Sequence, residues 1–254
     1  MKIAVITGAS SGMGREFVFR LCEEENFDQV WVIARRLERL EELKDKIGDK
    51  IRPIALDLTK SESIDEYKAL LKAENPEVAV LVNAGGYGKF EAFENLTLEE
   101  QMGMIDLNAK ALTAMTYVTL PYLKRGSRVY QIGSLSSFQP VPYIGVYGAT
   151  KAYVLSFTRA INAELRHTGI KMMAVCPGWV RTEFFDRAVV DDGVITYYTQ
   201  FFTPQQVVTR ALKDMKRGKD VSVVGPMIRG QVLLTKLLPH RLVMKIWLMQ
   251  QKKK

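Results

Sequence analysis

The chain has few cysteines and no long apolar run. Its 254 residues include two cysteines, Cys22 and Cys176, which lie far apart and have neither disulfide nor metal-ligand spacing. We therefore predict no disulfide scaffold and no metal site. Met1 and Lys2 lead directly into an apolar segment that lacks the pattern of a secretory signal. We expect a protein of the reducing cytoplasm.

Acidic residues are fewer than basic ones. The resulting net charge of +8 could indicate nucleic acid or an anionic membrane as a partner. The basic residues are scattered, however, and no basic-aromatic recognition module is visible, so we expect no nucleic-acid partner. Hydrophobic residues make up 47% of the chain, which is typical of a globular protein. The length fits one large α/β domain or two small ones, and the lack of a low-complexity linker favours one.

Short β-branched runs alternate with segments of helical periodicity. This alternation predicts an α/β fold of Rossmann type, a doubly wound parallel sheet of seven strands with helices on both faces. We expect residues 1–226 to form the catalytic and cofactor-binding domain and residues 227–254 an apolar, basic tail on the same domain or a partner subunit. The strands are predicted at 3–7, 30–34, 51–56, 78–82, 128–132, 171–176 and 221–224.

A glycine-rich turn follows the first predicted strand and precedes a helix. Gly8 permits a tight turn, Gly12 lets the backbone approach a pyrophosphate, and Gly14 lets the helix pack closely on the strand. Free amides at the helix N-terminus then face the anion. The sequence predicts a dinucleotide site formed by Thr7, Gly8, Ser10, Ser11, Gly12, Met13 and Gly14.

Arg35 and Arg36 end the second predicted strand, where a carboxylate would bind the adenosine ribose of NAD. Two cations before a helix conflict with its macrodipole, and an anionic partner would remove that conflict. The 2′-phosphate of NADP is such a partner, so we predict NADP(H), with NAD the less favoured cofactor. The alternative is a solvated arginine pair balanced by Glu38, Glu41 and Glu42.

Polar and small residues also end the third and fourth predicted strands. Asp57, followed by Leu58, could accept a hydrogen bond from the adenine amino group, or could equally be a helix-capping or turn aspartate. Asn83 is expected to bridge strands, while Ala84 and Gly85 let the backbone lie against the cofactor. These residues extend the predicted site along the carboxyl edge of the sheet.

Tyr147 and Lys151 are four residues apart, so a helix places them on one face. An ammonium beside a phenol favours the phenolate, so we expect the pKa of Tyr147 to fall towards neutrality. A tyrosine tuned in this way could exchange a proton with an alcohol or ketone. Ser134 precedes this pair and is the third candidate.

Together these segments resemble the short-chain dehydrogenase/reductase family, in its single-domain, three-glycine branch. The resemblance implies that Tyr147 is the general acid/base, Lys151 its partner, Ser134 the group that polarises the carbonyl, and Asn108 the anchor of a proton-relay water. It also implies that Pro177, Gly178, Val180 and Thr182 contact the nicotinamide end of the cofactor. The matching segments are TGASSGMG at 7–14, DLT at 57–59, NAGG at 83–86, DLNAKA at 106–111, GS at 133–134, YGATK at 147–151 and PGWVRT at 177–182.

The family's specificity segments correspond here to residues 138–143 and 184–202, which are rich in aromatics. We expect them, with Tyr87 and Phe90, to line a pocket for a bulky lipophilic substrate such as a steroid, bile acid or long-chain oxo compound. The alternative is that these aromatics pack a lid or a subunit contact. The resemblance also implies a homodimer or homotetramer.

The tail after Pro226 could lie on a membrane surface, cover the substrate pocket or pack in an oligomer. Its apolar runs, interrupted by Pro239, are too short to span a bilayer. Two alternative functions remain. One is a protein that binds NADP without catalysis, which would not need the tyrosine–lysine pair. The other is a peripheral membrane reductase of lipid-borne substrates.

Overall fold

The computed structural model describes residues 1–190 and 193–253. Within these ranges seven parallel strands form one sheet in the order β3-β2-β1-β4-β5-β6-β9, and β7 and β8 form a separate parallel pair. The predicted doubly wound fold is confirmed. The strands are β1 (Lys2–Thr7), β2 (Gln29–Ala34), β3 (Ile51–Ala55), β4 (Glu77–Asn83), β5 (Leu123–Ile132), β6 (Lys171–Val175), β7 (Trp179–Val180), β8 (Phe201–Phe202) and β9 (Val221–Ser222).

Helices follow the strands and cover both faces of the sheet. A π-helical segment, Asp106–Ala111, joins α4 to α5, and 3₁₀ turns occupy several connections. The helices are α1 (Gly12–Glu24), α2 (Leu37–Ile47), α3 (Ser61–Glu74), α4 (Leu98–Ile105), α5 (Leu112–Thr119), α6 (Gly145–Glu164), α7 (Phe184–Ala188), α8 (Pro204–Lys216), α9 (Pro226–Leu237) and α10 (His240–Gln250).

The core lies in two layers, one on each face of the sheet. Ala4 and Ile6 of β1 join the layer that includes Phe17 of α1, whereas Ile3 and Val5 join the opposite layer. Successive side chains of a strand point to opposite faces, so a strand covered by helices on both sides must be apolar throughout. This requirement explains the continuous apolar runs of the sequence.

The sheet order reverses between β1 and β4, which pair in parallel with Thr7 opposite Asn83. In such sheets the crevice at the carboxyl ends of the two strands is the usual ligand site. The fold thus brings the turn after β1 and the turn after β4 to one place.

The C-terminal helices α9 and α10 pack on the rest of the chain through buried residues, among them Ile228, Val232 and Val243. The side-chain oxygen of Gln251 accepts hydrogen bonds from the backbone N–H groups of Thr196 and Tyr197, at 2.8 and 2.9 Å. In the described part of the chain, no helix has the length and apolarity needed to traverse a bilayer.

Candidate active site

The glycine turn packs directly against the turn after β4. Gly8 has a φ of +64°, and a Cβ there would lie 2.7 Å from the backbone of Ala84 and Gly85. The Thr7 hydroxyl accepts hydrogen bonds from the amides of Ala84 and Gly85, each at 3.1 Å. A Cβ on Gly14 would overlap the Gly8 carbonyl. Only glycine fits at these positions, because two backbone segments and a helix meet there.

A cleft of about 860 Å³ runs along this edge of the sheet. Among the described residues no side chain caps the N-terminus of α1, so its first amides are available to an anion. The cleft brings together most of the residues predicted for the nucleotide: Gly8, Ser10, Ser11, Gly12, Met13, Gly14, Arg35, Arg36, Asp57, Leu58, Ala84, Gly85 and Thr182.

Arg36 has partners that the sequence did not indicate. Its guanidinium donates to Glu183 at 2.9 Å and to the hydroxyl of Ser10 at 3.2 Å. Glu183 immediately precedes α7, so it lies far from Arg36 in sequence. Glu42, one of the carboxylates predicted to balance the two arginines, pairs with Arg15 instead, at 3.1 Å. The carboxylate beside the proposed phosphate-binding arginine therefore comes from another segment.

Asp57 and Asn83 both have local structural roles. The Asp57 carboxylate accepts hydrogen bonds from the amide and hydroxyl of Thr59, at 3.1 and 2.8 Å. Burial opposes ionisation of Asp57, but these hydrogen bonds and the charges of Arg35 and Lys60 together outweigh it and lower its pKa. Asn83 donates to Gln131 of β5 at 3.0 Å and to Thr116 at 3.2 Å. Asp57 thus forms a turn, and Asn83 bridges strands.

Helix α6 positions Tyr147 and Lys151 on one face. The Nζ atom of Lys151 lies 5.6 Å from the centre of the Tyr147 ring and donates to the carbonyl of Ile132 at 2.7 Å. Tyr143, just before the helix, has a φ of +65°. This value is uncommon for a bulky residue and marks a constrained entry to the helix.

Ser134 follows β5 and lies near Tyr147 and Lys151. Its side chain accepts a hydrogen bond from the amide of Ser136 at 3.2 Å, and its amide donates to the Ser137 hydroxyl at 3.1 Å. These contacts orient the hydroxyl of Ser134. Ser134, Tyr147 and Lys151 line one cavity.

The pKa shifts differ from the predicted direction. Burial raises the pKa of Tyr147 to about 12, although the hydrogen bond with Ser134 lowers it in part. Burial also lowers the pKa of Lys151 to about 8. The prediction of an acidified phenol is therefore wrong for this arrangement, because desolvation disfavours the charged forms of both groups. The phenol holds its proton at neutral pH.

Asn108 is fully buried in the π-helical segment. Its amide donates to the Tyr87 carbonyl at 2.8 Å and to Thr150 at 3.0 Å, and its oxygen accepts from the Tyr87 amide at 3.0 Å. A Cβ on Gly86 would lie 2.9 Å from this oxygen and 3.3 Å from Nζ of Lys151. The Asn108 side chain thus ties the turn after β4 to α6, and its role in a water relay stays a prediction.

The cavity beside Tyr147 has a volume of about 130 Å³ and is mainly apolar. The ring of Phe184 lies 5.6 Å from that of Tyr147, and Phe184 lines both this cavity and the nucleotide cleft. Of the predicted nicotinamide contacts, four line it: Pro177, Gly178, Val180 and Thr182. Of the predicted wall residues, those that line it are Phe90, Gln139, Val141, Phe184, Phe185, Tyr197 and Thr199.

Other predicted wall residues lie elsewhere. Tyr87 lines the nucleotide cleft, where the guanidinium of Arg187 stacks on its ring at 3.8 Å. Phe202 belongs to the main core. The second specificity segment includes Asp191 and Asp192, which lie outside the described residues.

The cavity also has wall residues that the sequence did not single out. Trp247 of α10 donates its indole N–H to the Pro142 carbonyl at 3.1 Å and lines the cavity with Gln231 and Gln250. The tail therefore covers the cavity, which was one of three alternatives. The lone tryptophan in a segment of leucines and lysines was the available signal, because a buried indole needs an acceptor for its N–H.

The profile of the short chain dehydrogenase family matches residues 2–192. The chain belongs to this family and is an oxidoreductase of it. The NADP-dependent 3-hydroxy acid dehydrogenase YdfG of Escherichia coli K12 is 35% identical over 213 residues, which cover 81% of this chain and 85% of that protein.

Solved structures of dehydrogenases are also similar to this chain. A short-chain dehydrogenase from Sphingobium yanoikuyae in complex with NADPH has a TM-score of 0.79 and 28% identity, covering 93% of this chain and 94% of its own. The closed form of a serine dehydrogenase complexed with NADP⁺ has a TM-score of 0.77 and 30% identity, covering 89% and 95%. Both are similar to this chain over nearly its full length.

Proposed function

We propose that the protein transfers a hydride between NADP(H) and a carbonyl or secondary alcohol. The observation that carries this proposal is the meeting of Ser134, Tyr147 and Lys151 in one cavity that shares wall residues with a glycine-lined nucleotide cleft. A protein that only binds the nucleotide has no use for a buried phenol and ammonium on one helix face. The NADP-dependent and NADP-bound relatives support the choice of cofactor.

The lining of the cleft suits a dinucleotide, because Gly8 and Gly14 let the turn after β1 pack against backbone, and a Cβ on Gly86 would meet the Asn108 and Lys151 side chains. The turn of residues 8–14 and the free amides of α1 would hold the pyrophosphate. Arg35 and Arg36 would bind the 2′-phosphate, and Pro177, Gly178, Val180 and Thr182 the nicotinamide end. When bound, the cofactor supplies or accepts the hydride.

Side chains of the protein stabilise the charge that develops on the substrate oxygen and supply its proton. Ser134 and Tyr147 are two hydroxyl donors aimed into the same cavity, and they stabilise the negative charge that develops as a carbonyl is reduced. Tyr147 then gives its proton to that oxygen, which it can do because it is protonated at neutral pH. Lys151, held by the Ile132 carbonyl, places a positive charge beside this proton transfer.

For the substrate we propose a neutral, lipophilic carbonyl. Among the described residues that line the cavity, Lys151 is the only cation, so no arginine is placed to bind a substrate carboxylate. Arg181 instead stacks on Phe201, at 5.8 Å. A volume of about 130 Å³ is close to that of an apolar cavity of ~150 Å³ that holds benzene, so a bulkier substrate requires Phe184 and its segment to move outward.

A substrate panel tests this proposal. We expect purified protein to oxidise NADPH with long-chain or cyclic ketones and to be much slower with 3-oxo acids of similar size, as followed by nicotinamide absorbance. A preference for the 3-oxo acid would contradict the lipophilic substrate while leaving the reaction intact. Tight NADPH binding with no turnover across the panel would favour a nucleotide sensor.

The pH dependence of reduction follows from Lys151. We expect kcat/KM for ketone reduction to be constant at neutral pH and to fall as the pH rises through about 8, the pKa of Lys151. This parameter reports ionisations of the free enzyme, where Lys151 is charged below that pKa and neutral above it, while Tyr147 keeps its proton to about 12. A decline on acidification from neutral pH would contradict the assignment. Lys151→Met should give a slow reaction without this alkaline decline.

Glu183 is expected to weaken NADP(H) binding, because the 2′-phosphate must displace its carboxylate from Arg36. An exposed ion pair is worth up to about 1 kcal/mol, so Glu183→Gln should tighten NADPH roughly two- to fivefold and leave NADH nearly unchanged. Titration calorimetry with both cofactors measures this. Asp186→Asn, on the same segment, is the matched control, and Arg36→Ala should weaken NADPH alone. An equal gain for both cofactors with Glu183→Gln would refute the competition.

We also propose a homo-oligomer formed through α5 and α6. Tyr117 is 76% exposed and Tyr153 42% exposed, and the latter stacks on Phe157 at 5.8 Å with nearly parallel rings. Aromatic surfaces of this kind are enriched in protein interfaces.

A further inference from the structure

The excess of basic over acidic residues in this protein lies almost entirely at its C-terminus. Residues 226–254 contain no aspartate or glutamate, although the chain has 28 of them. The remaining 225 residues are consequently close to neutral, and almost the whole net charge of +8 belongs to the C-terminal helices and the residues after them. The segment's seven basic residues are Arg229, Arg241, Lys236, Lys245, Lys252, Lys253 and Lys254.

The same helices expose large apolar side chains. In α9, Leu233 is 59% exposed and Leu237 72% exposed, and Met227 and Leu234 are also exposed. Their helical spacing puts them on one side of α9, opposite the side that Ile228, Val232 and Thr235 bury in the protein. In α10, Leu242 and Met249 are exposed in the same way. We call these six exposed residues the C-terminal face.

We propose that the C-terminal face docks this protein on an anionic membrane surface. Leucine and methionine side chains next to lysines and arginines, with no acidic residue between them, match the apolar and charged layers of such a surface. A second copy of the chain is a poorer partner, because a two-fold interface would place this cationic segment against itself. The helices are too short to span the bilayer, so the protein would lie on it.

Docking at this position has a consequence for the substrate. The two helices that carry the C-terminal face also supply Gln231, Trp247 and Gln250 to the wall of the cavity beside Tyr147. A docked protein would therefore hold the cover of its substrate cavity against the lipid. This suggests that the substrate comes from the bilayer. That suggestion rests on the proposed function, whereas the docking does not depend on it.

Vesicle sedimentation of the full-length chain tests the docking. We expect binding to phosphatidylcholine vesicles that contain phosphatidylglycerol, with a loss as salt concentration rises, and little binding to pure phosphatidylcholine. Arg241→Gln with Lys245→Gln should weaken binding roughly 30-fold, since each basic residue near an anionic surface contributes a factor of about five. The control is Lys68→Gln with Lys72→Gln, two exposed lysines at the same spacing on α3.

The apolar contribution has its own pair of variants. Leu233→Ser with Leu237→Ser should weaken vesicle binding at least about tenfold, while Phe93→Ser with Leu98→Ser, equally exposed elsewhere, should leave it unchanged. Equal binding to neutral and anionic vesicles, or none to either, would overturn the proposal. So would unchanged vesicle binding by the leucine variant together with a smaller oligomer in light scattering, which would assign the C-terminal face to a second copy.

Activity assays separate this inference from the proposed function. The leucine variant should reduce a water-soluble ketone with NADPH at the wild-type rate, but should be slower on a long-chain ketone dissolved in anionic vesicles. If the wild type reduces neither ketone, the proposed function fails and the vesicle-binding result stands. If the leucine variant reduces both as fast as the wild type, the membrane-borne substrate is ruled out.

Discussion

Replacing Tyr147 by phenylalanine should abolish most turnover while leaving NADPH binding intact. The variant loses the proton donor and one of the two hydroxyls aimed at the substrate oxygen, and a positioned general acid contributes roughly 10²–10⁴-fold to the rate. The phenylalanine ring retains the contacts of Tyr147 with Phe184 at 5.6 Å and with Phe90 at 6.5 Å. Stopped-flow measurement of a single turnover, with a separate NADPH titration, checks both parts.

The matched control is Tyr67→Phe. Tyr67 is fully buried, whereas Tyr147 is partly buried, and the hydroxyl of Tyr67 hydrogen-bonds that of Thr119 at 2.8 Å. Each substitution removes one buried hydroxyl and should cost about 1 kcal/mol of stability, but only Tyr147→Phe should change the rate. A Tyr147→Phe enzyme within about tenfold of the wild type would remove this residue from the proton transfer.

Replacing Gly8 by alanine should both destabilise the fold and weaken the nucleotide site. The backbone at Gly8 has a φ of +64°, and the added Cβ would lie 2.7 Å from the backbone of Ala84 and Gly85. Overpacking of this kind costs about 1–3 kcal/mol, and the left-handed conformation adds about 1 kcal/mol. Urea denaturation should show the summed loss of stability, and calorimetry should show weaker NADPH binding.

Gly218 separates the two causes. Its φ of +71° is nearly the same as that of Gly8, but nothing lies within 4 Å of the position a Cβ would take. Gly218→Ala should therefore cost only the conformational part, about 1 kcal/mol, and should not affect NADPH binding. Equal losses of stability in the two variants would mean that the turns after β1 and β4 are not held in contact as described.

Much of the fold could be predicted from local pattern. A strand covered on both sides must be apolar throughout, so the seven runs were visible without any knowledge of their partners. The positions of the glycines were equally informative, because Gly8 and Gly14 stand where two backbone segments meet. Tyr147 and Lys151 share a helix face for a reason of spacing alone.

Side-chain partners from distant segments could not be predicted in this way. The carboxylate beside Arg36 belongs to Glu183, 147 residues further on, and the acceptor of the Trp247 indole lies 105 residues away. Neither pairing leaves a periodic signal in the sequence. The same limit applies to Asn108, whose amide is occupied by Tyr87 and Thr150.

The pKa of Tyr147 shows the difference most clearly. From the sequence, the proximity of Lys151 indicated a lowered value, because an opposite charge favours the phenolate. In the fold, desolvation raises the pKa of Tyr147 and lowers that of Lys151. The sequence by itself determined the strands, the glycine turn and which residue types share a helix face, since these depend on neighbours along the chain. Only the tertiary structure decided the protonation of the site, its cover by the tail and the partner of Arg36, because burial and long-range contacts exist only once the chain has folded.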